Sequence, residues 1–550
     1  MNDIEFNLID EPWIRVMDRE CNISEVSLKD ALLNAHRYKS LGGELPTQDI
    51  AVMRLMLAVL HTVYSRVDEN GCASPLEEDD ESDDDENEEV IRQKALDRWK
   101  ALWKRGSFSE KAIGDYFDKW HERFWLFHPE RPFGQIARLA LGTDYDAPKL
   151  NGEISESSNK LRFFSMYSGN DKSTLTYSQA ARWLLYLNSY DDTSSKPTKE
   201  GKAKAGGSLP SPGVGWLGKL GLIYLIGNDL FETLMLNLIM VNCEIVQANQ
   251  NPLWEQEKVS ESERTEIALP KDLASLYTVQ SRRVLLKRKD GNVESYKLLG
   301  GDFFEKENAF FEPMTVWNNP KKDNDPYTPR RHDSSRQMWR EFSVLFNDND
   351  KNRSAGVISW FKTYLKGQGL IPKRYLLRTS ITAVEYGDKD FFVKNVFSDS
   401  LTMHSELLSE LGADWRAKIE LEISRCSELT GEVSVLARNL YIASGGSNSS
   451  KDKHYLEIPN IVKAQLYYRL DIPFRKWLRS IDPEDFDEKM KDEKIKDWQS
   501  TARKISDRYA LELVSQTDDT AIVGRNVDKQ VYSSPRALNI FRSRTKKIYA

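Results

Sequence analysis

Cysteine is scarce: four in 550 residues, at Cys21, Cys72, Cys243 and Cys426, far apart and forming no CxxC. A disulfide scaffold and a zinc knuckle are both excluded by that usage. The chain has no G-x-x-x-x-G-K-[ST] run, so no P-loop ATPase is encoded, and it has no G-x-S-x-G elbow or evident Cys/His dyad. Seven scattered histidines provide no HExxH, and His121 and His128 lack a carboxylate or cysteine at metal-ligand spacing. The longest apolar run, Leu220 to Cys243, is interrupted by Asn228, Asp229 and Glu232, which suits a buried helix better than a membrane span. The opening, MNDIEFNLIDEPW, carries acids where a signal peptide would carry bases. The expectations are therefore a cytoplasmic binder that is not an enzyme, with no cofactor, no metal and no membrane partner.

What is present is ample core material, at 40% hydrophobic and 11% aromatic residues. A chain of 550 residues is too long for one core, and two to four domains are expected. The formal charge is −7, yet Glu77 to Glu89 alone holds eleven acids and no base, and without it the balance turns mildly positive. Such a run repels itself and stays hydrated, so an insert at about 76–89 reads as a disordered loop between two helices. A mildly basic remainder permits nucleic-acid binding.

The chain is organised around Asn188 to Leu222, where Lys196, Lys199, Lys202 and Lys204 precede a run rich in glycine and proline. Two readings stand: a soluble surface loop, or lysines that neutralise phosphates while glycines admit a close main chain. GVGWLG at Gly213 to Gly218 fits G-x-G-x-x-G literally, but Pro210 and Pro212 stand where a strand should lead in. Helices are expected over Thr47 to Val67 with Thr47 as cap, over 90–103, 109–123 and 177–190, and over Gly221 to Val241. Leu276 to Leu298 reads as a hairpin around Asp290-Gly291, and Thr379 to Val396 as a second around Gly387 to Asp390. Arg282 and Arg283 suit either a salt-bridged strand face or a binding surface. From about Ser398 four amphipathic segments imply a helical bundle. The expected class is α+β, with a mixed N-terminal domain over 1–397 and a bundle over 398–550.

Six segments together resemble the large subunit of the type I-E CRISPR Cascade surveillance complex, the CasA family. They are NLIDEPWIRV, RPFGQ at Arg131 to Gln135, GGSLPSPGVGWLGKLGL at Gly206 to Leu222, LYTVQSRRVLL at Leu276 to Leu286, EPMTVW at Glu312 to Trp317, and TAVEYG ending at Gly387. Their order and spacing span roughly the first 400 residues. The resemblance implies recognition of a protospacer-adjacent motif in double-stranded DNA from the minor groove, help in opening the duplex, and recruitment of a helicase-nuclease. It further implies crRNA and the other Cascade subunits as partners: the small subunit, the backbone subunits and the 5′-handle subunit.

Carried over by position, the family's glycine loop falls at Thr193, Ser194, Ser195 and Lys196, where serines replace the expected glycines. Its lysine finger falls at Lys306, with Lys297 as alternative. Its strand-separating wedge falls at Gly387, Asp388, Lys389 and Asp390, a tip without the family's glutamine, with two acids facing phosphates and Lys389 and Phe391 left to act. A crRNA-handle contact is implied at Phe163 or Phe164, each of which is equally a core aromatic. Lys199, Lys202 and Lys204 are implied backbone contacts. Two rivals stand beside this reading: a structural scaffold without DNA readout, and a nucleotide-dependent enzyme built on GVGWLG.

Overall fold

The computed structural model describes residues 3–77, 84–152, 167, 173–192, 196–197, 203–204, 214–242, 245–257, 264–267, 272–304, 312–322, 325–346, 351–387, 390, 392–484 and 487–549. The class is α+β. The chain divides into two compact units, one of residues 1–332, 344–370 and 378–400, the other of 333–343, 371–377 and 401–550.

In the first unit the helix Pro46–Tyr64 is predominantly apolar and buried along nearly its whole length, as a helix at the centre of a core must be. Thr47 does not cap it. Leu45 occupies the cap position and Pro46 the first turn, where its fixed φ and missing N–H cost nothing. The side chains of Gln48 and Asp49 instead accept from the N–H groups of Glu44 (3.1 Å) and Gly43 (2.8 Å), tying down the chain that enters the helix. The helices Tyr177–Tyr190 and Leu273–Tyr277 pack against this central rod. Tyr177–Tyr190 begins with a complete capping box in which Thr176 and Gln179 satisfy each other's backbone.

The acidic run does not lie wholly in a loop. The helix Asp84–Arg105 begins inside it, because carboxylates are favoured at a helix N-terminus by the positive end of the dipole. Further along, this helix is anchored by Arg98, which donates to the carbonyls of Tyr64 (2.7 Å) and Ser74 (2.6 Å).

Gly221 to Val241 is not one helix. Leu222–Ile226 is a strand, and Leu230–Asn237 is a helix capped by Asp229, which accepts from the Glu232 N–H at 2.9 Å. Leu222–Ile226 forms one edge of a three-stranded sheet whose centre is Leu376–Tyr386 and whose other edge is Val393–His404. A second sheet centres on Asn292–Gly300, flanked by Arg282–Lys289 and Thr143–Asp146. Its hairpin turns at Asp290 (φ 49°) and Gly291 (φ 78°), the two positive φ values that a tight turn matched to strand twist requires.

In the second unit the helices Ala413–Ala443, Lys453–Ser480, Glu488–Ser515 and Ser534–Ile548 form the expected bundle. Among the buried positions in the first of them, Trp415, Ile419, Glu422, Cys426, Leu429, Val433, Leu436 and Leu440 follow one another in alternating steps of four and three. That is the seam of left-handed bundle packing. Glu422 sits on the seam and is held by Arg425 (2.5 Å) and by the Gln499 amide (2.7 Å). The helical region begins later than expected, since the strand Val393–His404 runs past Ser398.

Candidate nucleic-acid interface

Two stretches more than 160 residues apart in the chain meet here: the turn Val214–Leu220 and the tip of the hairpin formed by Leu376–Tyr386 and Val393–His404. The turn is fastened to the end of helix Tyr177–Tyr190. The N–H groups of Gly215, Trp216 and Leu217 donate to the carbonyls of Asp191 (2.8 Å), Asn188 (3.1 Å) and Ser189 (2.8 Å). Such close approach leaves no space for side chains: a Cβ on Gly215 would lie 2.5 Å from Tyr190 N, and one on Gly218 would lie 2.3 Å from the Tyr386 hydroxyl. These glycines serve backbone packing, and the element that follows them is a strand rather than the helix a dinucleotide fold requires. The Gly215 bond to Asp191 also closes the long loop, so its lysine-bearing segment leaves and returns at one point.

The hairpin tip is fixed to that same point. Tyr386 donates its hydroxyl to the carbonyl of Tyr190 at 2.7 Å, and burial, with the nearby charges of Asp191 and Asp192, holds its phenol well above the ordinary range. Lys219, 8% exposed, pairs with Asp390 at 2.5 Å. Asp390 is therefore not an unpaired acid at the tip: a lysine from the neighbouring turn pairs with it. Lys219 is a site residue that the sequence reading misses, although it lies in the motif GGSLPSPGVGWLGKLGL, and its position at the closing end of the lysine loop is the available signal.

Beneath this junction lies a buried charge cluster. Arg282 donates through Nε to Asp191 and through a terminal nitrogen to the Asp192 carbonyl (3.1 Å), while Lys149 pairs with Asp192. Arg283 pairs with Asp302 at 2.5 Å, and neither arginine has accessible surface. Both are structural ion pairs, which settles the choice left open for them. Glu312 of EPMTVW accepts a two-pronged bond from Arg54 (2.9 and 3.0 Å), a bond from the Met314 N–H (3.1 Å) and one from the Trp216 indole (3.4 Å). Gln135 of RPFGQ bridges the Leu126 carbonyl (2.7 Å) and the Leu286 N–H (2.9 Å). Most of the recognisable motifs thus build the frame.

Of the remaining site residues, Lys196 and Lys204 are direct cross-strand partners in the short antiparallel pair of Lys196–Pro197 with Ala203–Lys204. Gly387 donates its N–H to Phe392 O (2.9 Å), closing the tip. Lys297, the alternative finger, lies on the central strand of its sheet and pairs with Asp144 at 2.9 Å, so it does not project as a finger. Thr193, Ser194, Ser195, Lys199, Lys202, Lys306, Asp388, Lys389, Phe391, Phe163 and Phe164 lie outside the described residues. Among the described residues no group of three His, Cys, Asp or Glu side chains is placed to hold a metal ion, and no helix is long and apolar enough to cross a membrane.

Comparison with known proteins agrees with this frame. A CasA/Cse1 protein of Thermus thermophilus is 30% identical over 350 residues, covering 62% of this chain and 60% of that protein. The crystal structure of Thermobifida fusca Cse1 superposes with a TM-score of 0.78 at 26% identity, covering 99% of this chain and 98% of that one. A chain of a CRISPR RNA-guided surveillance complex shares the fold, with a TM-score of 0.64 at 16% identity and 99% of each chain covered. The family model for CRISPR-associated protein Cse1 matches residues 7–509, and the chain belongs to that family.

Proposed function

We propose that this chain is the large subunit of a type I-E Cascade complex, a non-catalytic reader of the protospacer-adjacent motif in double-stranded target DNA. In this reading the hairpin tip at 387–392 and the lysine loop at 193–213 approach the duplex from the minor groove. The complex contains crRNA and the small, backbone and 5′-handle subunits, and a helicase-nuclease is recruited once the duplex opens. One observation carries the proposal: Lys219–Asp390 and Tyr386–Tyr190 hold the tip at the root of the lysine loop. Two elements singled out separately as DNA contacts therefore act from one place. The minor groove offers a degenerate hydrogen-bond code, so a backbone-rich tip with flanking lysines suits loose motif readout.

The test is target binding by the reconstituted complex, with and without this chain, on duplexes that differ only in the flanking motif. Motif-dependent affinity that requires the chain, and that Lys389→Ala or Lys306→Ala weakens, is the expected result. Charge reversal of Lys196, Lys199, Lys202 and Lys204 should lower affinity and make its salt dependence shallower, by about 0.9 in log–log slope for each phosphate no longer neutralised, while assembly survives. Equal affinity for every flank would make the chain a scaffold.

A further inference from the structure

A cavity of about 480 Å³ lies beside RPFGQ, lined by residues that take no part in the hairpin junction. Three arginines are among the residues that line it, Arg123, Arg131 and Arg138. Arg131 and Arg138 are exposed and have no ion pair or side-chain hydrogen bond among the described residues, and Arg123 donates only to the Gln256 carbonyl at 2.5 Å. Two carboxylates share the lining, Glu130 and Glu257, both exposed and, among the described residues, neither paired with an arginine. Burial and then the like charge of Arg131 hold the Arg123 guanidinium below its ordinary pKa, a stress that an anion between the two would relieve.

Gln280 is 4% exposed, lines the cavity, and makes no side-chain hydrogen bond among the described residues, its Oε1 buried without a partner. That oxygen is an acceptor, so a water or another donor completes it, and a phosphate, which carries no proton to give, does not. Phe133 and Trp254 form the floor, 5% and 2% exposed, so no aromatic face is offered for stacking a base.

We infer that this cavity is a phosphate-backbone site for a single-stranded nucleic acid, with Arg131 and Arg138 gripping successive phosphates and Arg123 behind them. Guanidinium forks match phosphate oxygens in pairs, and a cavity of this size exceeds one phosphate. Without a stacking platform the contact is to backbone and independent of sequence. The anion site stands on its own geometry; the choice of nucleic acid over an acidic polypeptide rests on the functional reading above.

The experiment is fluorescence-anisotropy titration of the full chain with ten-nucleotide single strands of RNA and of DNA, repeated with Arg131→Ala/Arg138→Ala and with Arg131→Lys/Arg138→Lys. Thermal melting checks that both variants fold, as is expected for exposed, unpaired side chains. The alanine pair should weaken binding at least tenfold and lower the salt slope by about 1.4, two phosphates at about 0.7 each for a single strand. The lysine pair should keep the slope and lose part of the affinity. Tighter binding of RNA or of DNA identifies the source of the strand. Unchanged affinity in the alanine pair overturns the site. Displacement of the strand by poly-L-glutamate at equal charge overturns the choice of nucleic acid. Flank discrimination by the reconstituted complex is read separately and should survive the alanine pair, so loss of this site and loss of motif recognition are told apart.

Discussion

Glu312 shows why a motif can be legible while its meaning is not. Read as a string, EPMTVW marks a family; in the fold, its carboxylate is 1% exposed and compensates the buried charge of Arg54. Breaking such a pair from one side leaves an unpaired charge in the interior. Glu312→Ala is expected to cost about 3–5 kcal/mol, read from urea unfolding. Arg54→Met combined with Glu312→Ala should cost clearly less than the sum of the single changes; additive costs would mean that the two side chains do not act as a pair.

His61 makes a second prediction. It is fully enclosed on the central helix, its Nε2 has no hydrogen-bond partner, and burial lowers its pKa to about 3. An imidazole that must stay neutral when folded but protonates at about 6.5 when unfolded favours the unfolded chain as acid is added. Its contribution is intact above about pH 6.5 and is lost progressively as pH falls toward about 3. In His61→Leu that loss is absent. The stability of the parent relative to this variant should fall by about 1.4 kcal/mol per pH unit below 6.5, read from denaturant midpoints at pH 7, 6 and 5. A difference that does not vary with pH would mean that His61 titrates in the folded chain as it does in the unfolded one.

Among elements, those with a strong local signal agree with the sequence. The hairpin around Asp290-Gly291 is legible because both turn residues tolerate positive φ, and the helix after Thr176 because its capping residues are three apart. Leu222–Ile226 is not legible: a short apolar run has no period, and only the helix cap at Asp229 separates it from the helix behind it. The site is legible only in part. Its lysines fall in stretches of sequence without periodicity, and the link between loop and tip is a contact between distant residues that no local pattern encodes. Lys219–Asp390 is that link, and it supports a prediction at the level of the hairpin. Asp390→Asn removes the tie and, with it, one negative charge at the hairpin tip. If the tie positions the tip, motif discrimination by the reconstituted complex should fall while affinity for a non-matching flank holds or rises. A variant that loses affinity equally on all flanks would assign Asp390 to folding instead.

Taken as a whole, the molecule departs from a division into two consecutive pieces, and here too the reason is packing rather than pattern. The second unit takes residues 333–343 and 371–377 from far upstream of its helices. Trp339 stacks on Phe474 with ring centres 4.2 Å apart and planes 20° from parallel, and its indole donates to Asp471 at 2.9 Å. Arg340 lies over the Tyr467 ring at 3.5 Å. The upstream segment at 371–377 is tied in by Arg374, which reaches Asp482 (3.2 Å) and Glu484 (3.0 Å). A fragment of residues 401–550 would keep all four long helices but be without this packing, exposing Phe474, which is otherwise fully buried. Loss of a buried tryptophan costs about 3–5 kcal/mol, a large share of the stability of a domain of this kind. The fragment is therefore expected to unfold at a lower urea concentration than a chain extending from 333 to 550, and a peptide of residues 333–343 added in trans should raise its midpoint. Replacing Trp339 by alanine in that peptide should abolish the effect. Equal midpoints for the two fragments, with no response to the peptide, would mean that the four helices are a complete domain and that the upstream segment merely rests on them.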